Sequence, residues 1–292
     1  MIKLILIKVV LITNTYAMSE LSEVFNKNKL VSSIKTINDV LFHANEIVKN
    51  VQLSCEYDPI CEITVINEKA STVPYKSKQT GEPKHVISGS KAVTTFLELL
   101  RDGQKKALVD GVKGCGPFLK LAEHFKPGDI DIFFLDSKEV SRIKYENVDV
   151  VHIKTQTITE HLDNFDLSCC KTSMNLEGTK FWISLHCLYT MLTGSCFIPK
   201  YLQSREKFRD VYFKANNIST KRDFETFYES KDQTTDKCTM MFKRINERIQ
   251  KYKDRGYTFQ YIETDKALSW LTSNNMNNYM DCSRKSVKLM YQ

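Results

Sequence analysis

Glycine and proline are scarce in this chain of 292 residues, which has ten Gly and six Pro. Because these residues interrupt helices and strands more than any others, most of the chain is expected to form regular elements. The scarcity excludes a collagen. A hydrophobic content of 42% and a charged content of 26% are near the globular averages, which excludes a chain that is disordered throughout. The length suffices for one large domain or two ordinary ones.

Several motifs of common metal sites and enzymes are also missing. None of the nine Cys forms a C-x-x-C pair, which argues against a zinc ribbon or a dithiol redox motif and favours buried, reduced thiols. The six His form no H-x-x-x-H or H-E-x-x-H pattern, which argues against a zinc hydrolase. The nucleophile elbow, the P-loop and the protein-kinase motifs are absent as well.

No apolar run is long enough to cross a membrane, and the run at the N-terminus is interrupted by Lys8. Two interpretations of residues 1–17 stay open. They are either a signal peptide with a small-residue site at Ala17, or an upstream extension followed by a natural start at Met18. We expect an intracellular protein, cytoplasmic or nuclear, unless residues 1–17 direct it to secretion.

The hydrophobic pattern changes near residue 184. Before it, helix and strand patterns alternate, with an amphipathic helix over 32–50, a polar Gly-rich loop over 101–116, helices near 93–100 and 158–165, and strands over 61–66, 85–88, 129–135, 148–153 and 166–173. After it, helical periodicity recurs over 185–192, 206–215, 224–229, 238–252 and 266–271. The patterns predict an α+β protein, with a mixed-sheet α/β domain over 30–184 and a helical unit over 185–275.

The most informative segment reads GDIDIFF, residues 128–134. Asp129 and Asp131 stand two positions apart on the predicted strand, so both side chains leave the same face. The other face is expected to contact the core through Ile130, Ile132 and Phe134. Two adjacent carboxylates repel each other unless a cation or a proton lies between them, and hard cations such as Mg²⁺ take oxygen ligands. The pattern predicts a seat for Mg²⁺ or Mn²⁺, although an ordinary half-exposed strand also alternates in this way.

Two other segments carry groups that suit the same chemistry. The strand over 85–88 turns at Gly89-Ser90 into a helix, and such a turn presents N–H groups, a hydroxyl and a helix N-terminus to an anion. An ordinary glycine turn with a Ser cap is the alternative. Downstream, Asp166 begins a predicted strand and is placed to reach the same metal. Asp149 is the alternative third carboxylate, but it lies within a hydrophobic strand, so Asp166 is preferred.

The order of these pieces resembles the polymerase-beta-type nucleotidyltransferase superfamily, in particular its divergent members from large DNA viruses, phages and mobile elements. The segments HLDNFDLSCCKTSM and KYKDRGYTF are similar to segments of those members, and the resemblance covers residues 85–260. One departure is the separation of 39 residues between Ser90 and Asp129, which predicts an insertion that compact members lack.

The resemblance implies transfer of a nucleotidyl group from an NTP to an acceptor. It implies that Asp129 and Asp131 bridge two Mg²⁺ or Mn²⁺ ions, and that Asp166 holds the ion that activates the attacking hydroxyl. The β- and γ-phosphates would be bound by Gly89, Ser90 and Lys91. Two alternatives stay open: the same fold with catalysis lost, acting as a binding or host-interaction protein, and an unrelated α+β protein without a catalytic site.

Basic and aromatic residues are interleaved over 241–259, in a chain whose net charge is +7. Basic side chains at this density favour contact with the phosphate backbone of RNA or another nucleic acid, and Tyr257 and Phe259 are placed to stack on a base. The alternative is a solvated helix face with ion pairs such as Glu247 with Lys251. The candidate nucleic-acid-binding residues are Lys243, Arg244, Arg248, Lys251, Lys253 and Arg255.

Overall fold

The computed structural model describes residues 27–53, 58–65, 83–109, 128–215 and 233–263. The helices of this part are α1 (27–33), α2 (Ile37–Phe42), α3 (Ala44–Leu53), α4 (Ser90–Val109), α5 (Ile158–Asp163), α6 (Leu185–Thr193), α7 (Arg205–Ala215) and α8 (Gln233–Asp254). The strands are β1 (Ile60–Thr64), β2 (His85–Ser88), β3 (Ile130–Phe134), β4 (Ser141–Tyr145), β5 (Val148–His152), β6 (Thr172–Met174), β7 (Lys180–Ser184), β8 (Ser195–Pro199) and β9 (Thr258–Ile262). A mixed α/β protein is therefore confirmed.

Seven strands form one mixed sheet in the order β1-β7-β6-β2-β3-β5-β4. Neighbouring strands are antiparallel except β3 and β5, which are parallel. Strands β6 and β7 pair on either side of the turn at Gly178. This order brings β2, β3 and β5, which carry the predicted site residues, side by side in one half of the sheet.

The single helix predicted over 32–50 is wrong, because the chain forms three helices there. At the first break the hydroxyl of Thr36 accepts from the backbone N–H of Asp39 at 3.2 Å. The Asp39 carboxylate accepts in return from the N–H of Thr36 at 2.8 Å, and this reciprocal capping starts α2. The second break is at His43. Ile34, Val40 and Ile47 are buried on either side of these breaks, which is why the hydrophobic pattern alone indicated one helix.

Helix α4 continues through Gly103, where the sequence predicted a loop. A Cβ atom at this position would lie 3.2 Å from Cγ2 of Ile37 and 3.3 Å from Cδ1 of Leu41. The glycine therefore allows α4 and α2 to pack closely. A glycine inside a helix costs about 1 kcal/mol relative to alanine. Burial of one face of α4 offsets that cost, through Val93, Phe96, Leu97 and Leu100.

The described chain after residue 184 is not purely helical. Strands β8 and β9 form a parallel pair, which the periodicity did not indicate. Helix α6 is buried along its length, from Leu185 to Leu192, and belongs to the same hydrophobic core as α4 and β7. Residues 1–17, the segment over 110–127 and the helices predicted over 224–229 and 266–271 lie outside the described residues.

The segment 166–173 also differs from the predicted strand. A 3₁₀ turn over Ser168–Cys170 precedes β6, and in it the thiols of the adjacent Cys169 and Cys170 lie 3.9 Å apart. The expectation of buried, reduced thiols is confirmed for the six cysteines that the structure describes. In the described ranges, no helix is both long enough and apolar enough to cross a membrane.

Candidate functional site

Asp131 lies in the middle of a row of polar side chains that crosses three strands. Ser88 of β2 is its partner on one side, and Asp149 of β5 is its partner on the other. Because residues that stand opposite each other in neighbouring strands point to the same face, the three side chains share one face of the sheet. We call this the carboxylate face. The order of the strands therefore brings Asp149 beside Asp131, although the sequence favoured Asp166 as the third carboxylate.

The side of β3 that contacts the core is the opposite of the predicted one. Phe133, on the carboxylate face, packs against the core, whereas all of β3 is only half-buried and Ile130, Ile132 and Phe134 do not join the core cluster. The reason is that α5 and the residues after it cover the carboxylate face. The ring centroids of His161 and Phe165 lie 4.6 and 6.3 Å from that of Phe133. The rings of His161 and Phe165 therefore cover the face of β3 that carries Asp131.

The environment of Asp131 raises the pKa of its carboxyl. Burial is the largest cause, and the negative charge of Asp149 is the next, with a smaller contribution from Asp129. The guanidinium groups of Arg142 and Arg248 act in the opposite direction. In the described ranges no hydrogen bond or ion pair reaches the Asp131 carboxylate. Its charge is thus repelled by its neighbours and not neutralised by contact, which is a state that a bound cation would relieve.

Asp129 occupies a more open position than the sequence predicted. It precedes the first residue of β3, and its side chain is 52% exposed. Its Oδ2 lies 3.8 Å from Nζ of Lys144, an exposed pair of little energetic consequence. Asp129 contributes charge to Asp131 from the edge of the site, with its own carboxylate largely in water.

The two candidates for the third carboxylate share an unusual arrangement. Asp149 is buried and forms an ion pair with Arg142 through Oδ2, while its Oδ1 has no hydrogen-bond partner. Asp166 is 5% exposed, and its Oδ1 lies 2.9 Å from Nη1 of Arg248. That contact lacks the angles of a hydrogen bond, so this oxygen has a charge partner but no donor. Each carboxylate is held by an arginine and keeps one buried, unsatisfied oxygen.

These oxygens suit Mg²⁺ or Mn²⁺ chemically, since both ions prefer carboxylate oxygens. As placed, no three His, Cys, Asp or Glu side chains of the described residues group closely enough to hold a metal ion. The sequence prediction that Asp129, Asp131 and Asp166 form one ligand set therefore stays a prediction. Arginine side chains, and not a preformed cage, neutralise Asp149 and Asp166 in this arrangement.

The turn at Gly89 lies directly beside Asp131. Its φ of +70° belongs to the left-handed region, and a Cβ atom there would lie 3.8 Å from Oδ2 of Asp131. The N–H of Gly89 donates to the carbonyl of Thr172 at 3.1 Å, so this donor is already used inside the protein. The anion-binding groups that remain at the start of α4 belong to Ser90 and Lys91, both half-buried.

A buried polar network under this turn was not foreseen. Nε2 of His161 lies 2.9 Å from the hydroxyl of Ser88, which lies 2.6 Å from the hydroxyl of Ser173. The partners are 73 and 85 positions apart in the chain, so no local pattern could have indicated them. The network fixes the end of β2 immediately before Gly89.

This network predicts a loss of stability in acid. Burial lowers the pKa of His161 to about 3, from an ordinary value of 6.5. Between these pH values the unfolded chain binds a proton that the folded chain does not, so the free energy of unfolding falls as the pH falls, by about 2 kcal/mol at pH 5. His161→Gln should flatten this dependence in chemical denaturation measured from pH 7 to pH 4.5. If the free energy of unfolding depends on pH equally in the variant and in the wild type, the loss of stability in acid does not come from His161.

The basic helix α8 presents fewer of its predicted cations to solvent than the sequence indicated. Arg248 turns inward to Asp166, and the guanidinium of Arg255 lies 5.0 Å from the ring centre of Tyr252. Tyr257 is buried and is not open to a base. The ion pair of Glu247 is with Lys243, at 3.9 Å, in the described ranges. The exposed candidates are Lys243, Arg244, Lys251 and Lys253.

Comparisons with protein-family models, with curated proteins and with solved structures find no match to this chain. The functional interpretation therefore depends on the motifs and on the geometry of the carboxylate face.

Proposed function

We propose that this protein is a metal-dependent nucleotidyltransferase that moves a nucleotidyl group from an NTP to an acceptor. The observation that carries the proposal is that the Gly89 turn lies directly beside Asp131. Asp131 stands opposite another carboxylate, Asp149, and has no neutralising contact in the described ranges. A phosphate-binding turn and an oxygen-rich metal seat are the two parts that phosphoryl chemistry requires side by side.

The position of each residue in the site indicates whether it would bind the metal or the triphosphate. Asp131 and Asp129 would hold the divalent cation, with Asp166 as the third ligand and Asp149 as its alternative. Ser90 and Lys91 would bind the β- and γ-phosphates at the start of α4, while the φ of Gly89 makes the turn that brings them to Asp131. A bound divalent cation supplies charge neutralisation and lowers the pKa of the attacking hydroxyl.

The acceptor in this proposal is RNA or another nucleic acid. Lys243, Arg244, Lys251 and Lys253 are exposed on α8, the helix that also contributes Arg248 to the carboxylate face. Contacts of such side chains with a phosphate backbone are independent of base sequence and weaken as salt rises. The acceptor strand would therefore lie along α8 and present its terminal hydroxyl near Asp131.

A second candidate is a binding protein of the same architecture that lacks catalysis. Two observations favour it. Arg142 and Arg248 already neutralise Asp149 and Asp166, and no three His, Cys, Asp or Glu side chains of the described residues lie close enough together to hold a metal ion. Such a protein would bind an NTP or a nucleic acid without transferring a nucleotide.

Label transfer separates the two candidates. The full chain is incubated with each α-³²P-labelled NTP, with RNA or DNA oligonucleotides, and with Mg²⁺, Mn²⁺ or EDTA. We expect label on an oligonucleotide with at least one NTP, in the presence of a divalent cation and not with EDTA. Binding of NTP without any transfer would favour the second candidate, and neither binding nor transfer would exclude both.

A further inference from the structure

We infer that Arg248 is a nucleoside-triphosphate-binding residue that holds the place of the metal: it neutralises Asp166 while the divalent cation is absent, and pairs with the triphosphate when cation and nucleotide bind. This inference rests on the proposed function and adds to it a residue that couples nucleotide to metal. It also explains why a carboxylate suited to a metal is paired with an arginine in this arrangement.

Asp166 and Arg248 differ in how far they are buried. Asp166 is 5% exposed, whereas the side chain of Arg248 is 38% exposed and so reaches water on one side. An ionised carboxylate that is buried without a partner is strongly destabilising, so Asp166 needs a cation beside it in order to stay ionised. A partner with an open side is able to leave once another cation takes its place.

The charge of Arg248 acts on more than one carboxylate of the site. The guanidinium of Arg248 contacts Asp166 and also acts electrostatically on Asp131, the central carboxylate of the site. Asp131 and Asp166 would hold the divalent cation, whose positive charge would then compete with the guanidinium of Arg248 for Asp166. The phosphates of a bound nucleotide would offer Arg248 a new anionic partner, and the planar guanidinium fork fits phosphate oxygens with two parallel hydrogen bonds.

The proposed motion is confined to the side chain of Arg248, which would leave Asp166 and also its weak contact from Nη2 to Sγ of Cys170 at 3.9 Å. Helix α8 is held beside Asp166 by other contacts, because the thiol of Cys170 donates to the hydroxyl of Tyr252 at 3.0 Å, and Ile245 and Ile249 are buried in the core. The side chain of Arg142 is comparably open, at 40% exposed, but it reaches from β4 to Asp149 of the neighbouring strand β5.

The test measures the affinity of the full-length chain for Mn²⁺ in the absence of nucleotide. The electron paramagnetic resonance signal of the free ion gives the bound fraction. Arg248→Gln should bind Mn²⁺ more tightly than the wild type by about tenfold, an ordinary size for coupling between two ligands. Lys207→Gln removes an equal charge from an exposed position on α7 and should leave the Mn²⁺ affinity unchanged. With Mn²⁺ saturating, Arg248→Gln should bind a fluorescent NTP analogue about tenfold more weakly.

Arg248→Lys keeps the proposal testable if the glutamine variant does not fold. It retains a cation for Asp166 and loses the two-pronged contact with phosphate, so nucleotide affinity should fall while Mn²⁺ affinity stays near that of the wild type. Equal Mn²⁺ and nucleotide affinities in wild type and Arg248→Gln, or a lysine variant with wild-type nucleotide affinity, would overturn the inference and leave the proposed function standing. Absence of Mn²⁺ binding by every protein, with or without NTP, would overturn the proposed function itself.

Discussion

Replacing Asp131 by Asn is expected to lower metal-dependent nucleotidyl transfer by about a thousandfold or more while leaving the protein at least as stable as the wild type. Loss of a metal-binding carboxylate removes several kcal/mol of transition-state stabilisation, and each 1.36 kcal/mol is a factor of ten in rate. Stability should not fall, because burial and the charges of Asp149 and Asp129 make ionised Asp131 unfavourable in the fold. The measurements are the label-transfer rate and the midpoint of thermal unfolding near pH 7.

The sign of this stability effect follows from the direction of the pKa shift. A carboxyl whose pKa is raised in the folded protein destabilises the fold when it is ionised, so removal of the charge matters most at neutral pH and little in acid. Asp136→Asn is the matched control, since Asp136 is exposed at the end of β3 and has a φ of 54°, which Asn tolerates. If Asp131→Asn lowers transfer no more than Asp136→Asn does, Asp131 is not the metal seat.

Replacing Arg142 by Ala is expected to destabilise the protein by about 3 kcal/mol, because it leaves Asp149 charged and buried without a partner. Asp149→Asn in the same background should restore most of the loss, since the uncompensated charge is then gone. The double-mutant cycle is measured by urea denaturation of the four proteins. Additive effects of the two substitutions would contradict the pairing.

Variants of Asp166 and Asp149 decide which of these two carboxylates is the third metal ligand. Asp166→Asn should reduce nucleotidyl transfer as severely as Asp131→Asn, whereas Asp149→Asn should retain transfer if Asp149 serves only to pair with Arg142. The opposite ranking would assign the third ligand to Asp149, which stands in register with Asp131. Thermal unfolding of each variant controls for loss of folded protein.

Local patterns in the sequence predicted the parts of the site that depend on a few adjacent residues. The period of two predicted the strand that carries Asp131, with Asp129 directly before its first residue, and the Gly-Ser pair predicted the turn that begins α4. The same period could not tell which side of β3 the protein covers. The covered face is determined by His161 and Phe165, whose rings pack against Phe133 of β3.

The pairs that neutralise the carboxylates could not be predicted, because they join distant parts of the chain. Arg248 stood among the basic residues outside the apolar stripe of α8, and the pattern indicated only that it avoids the core. Its long side chain reaches Asp166 from the edge of that stripe. Arg142 lies in β4, a half-exposed strand with little hydrophobic alternation, which the sequence did not indicate. The break before α2, by contrast, has a local signal in the sequence, since Thr36 and Asp39 have the spacing of a capping box.

Anomalous diffraction from crystals of the full chain grown with Mn²⁺ and a non-hydrolysable NTP would locate the metal directly. We expect a manganese peak about 2.1 Å from a carboxylate oxygen of Asp131, with the triphosphate at the start of α4 and Arg248 turned from Asp166 to a phosphate. A structure with bound nucleotide in which manganese lies away from Asp131, or in which no manganese is bound, would contradict the proposed role of Asp131.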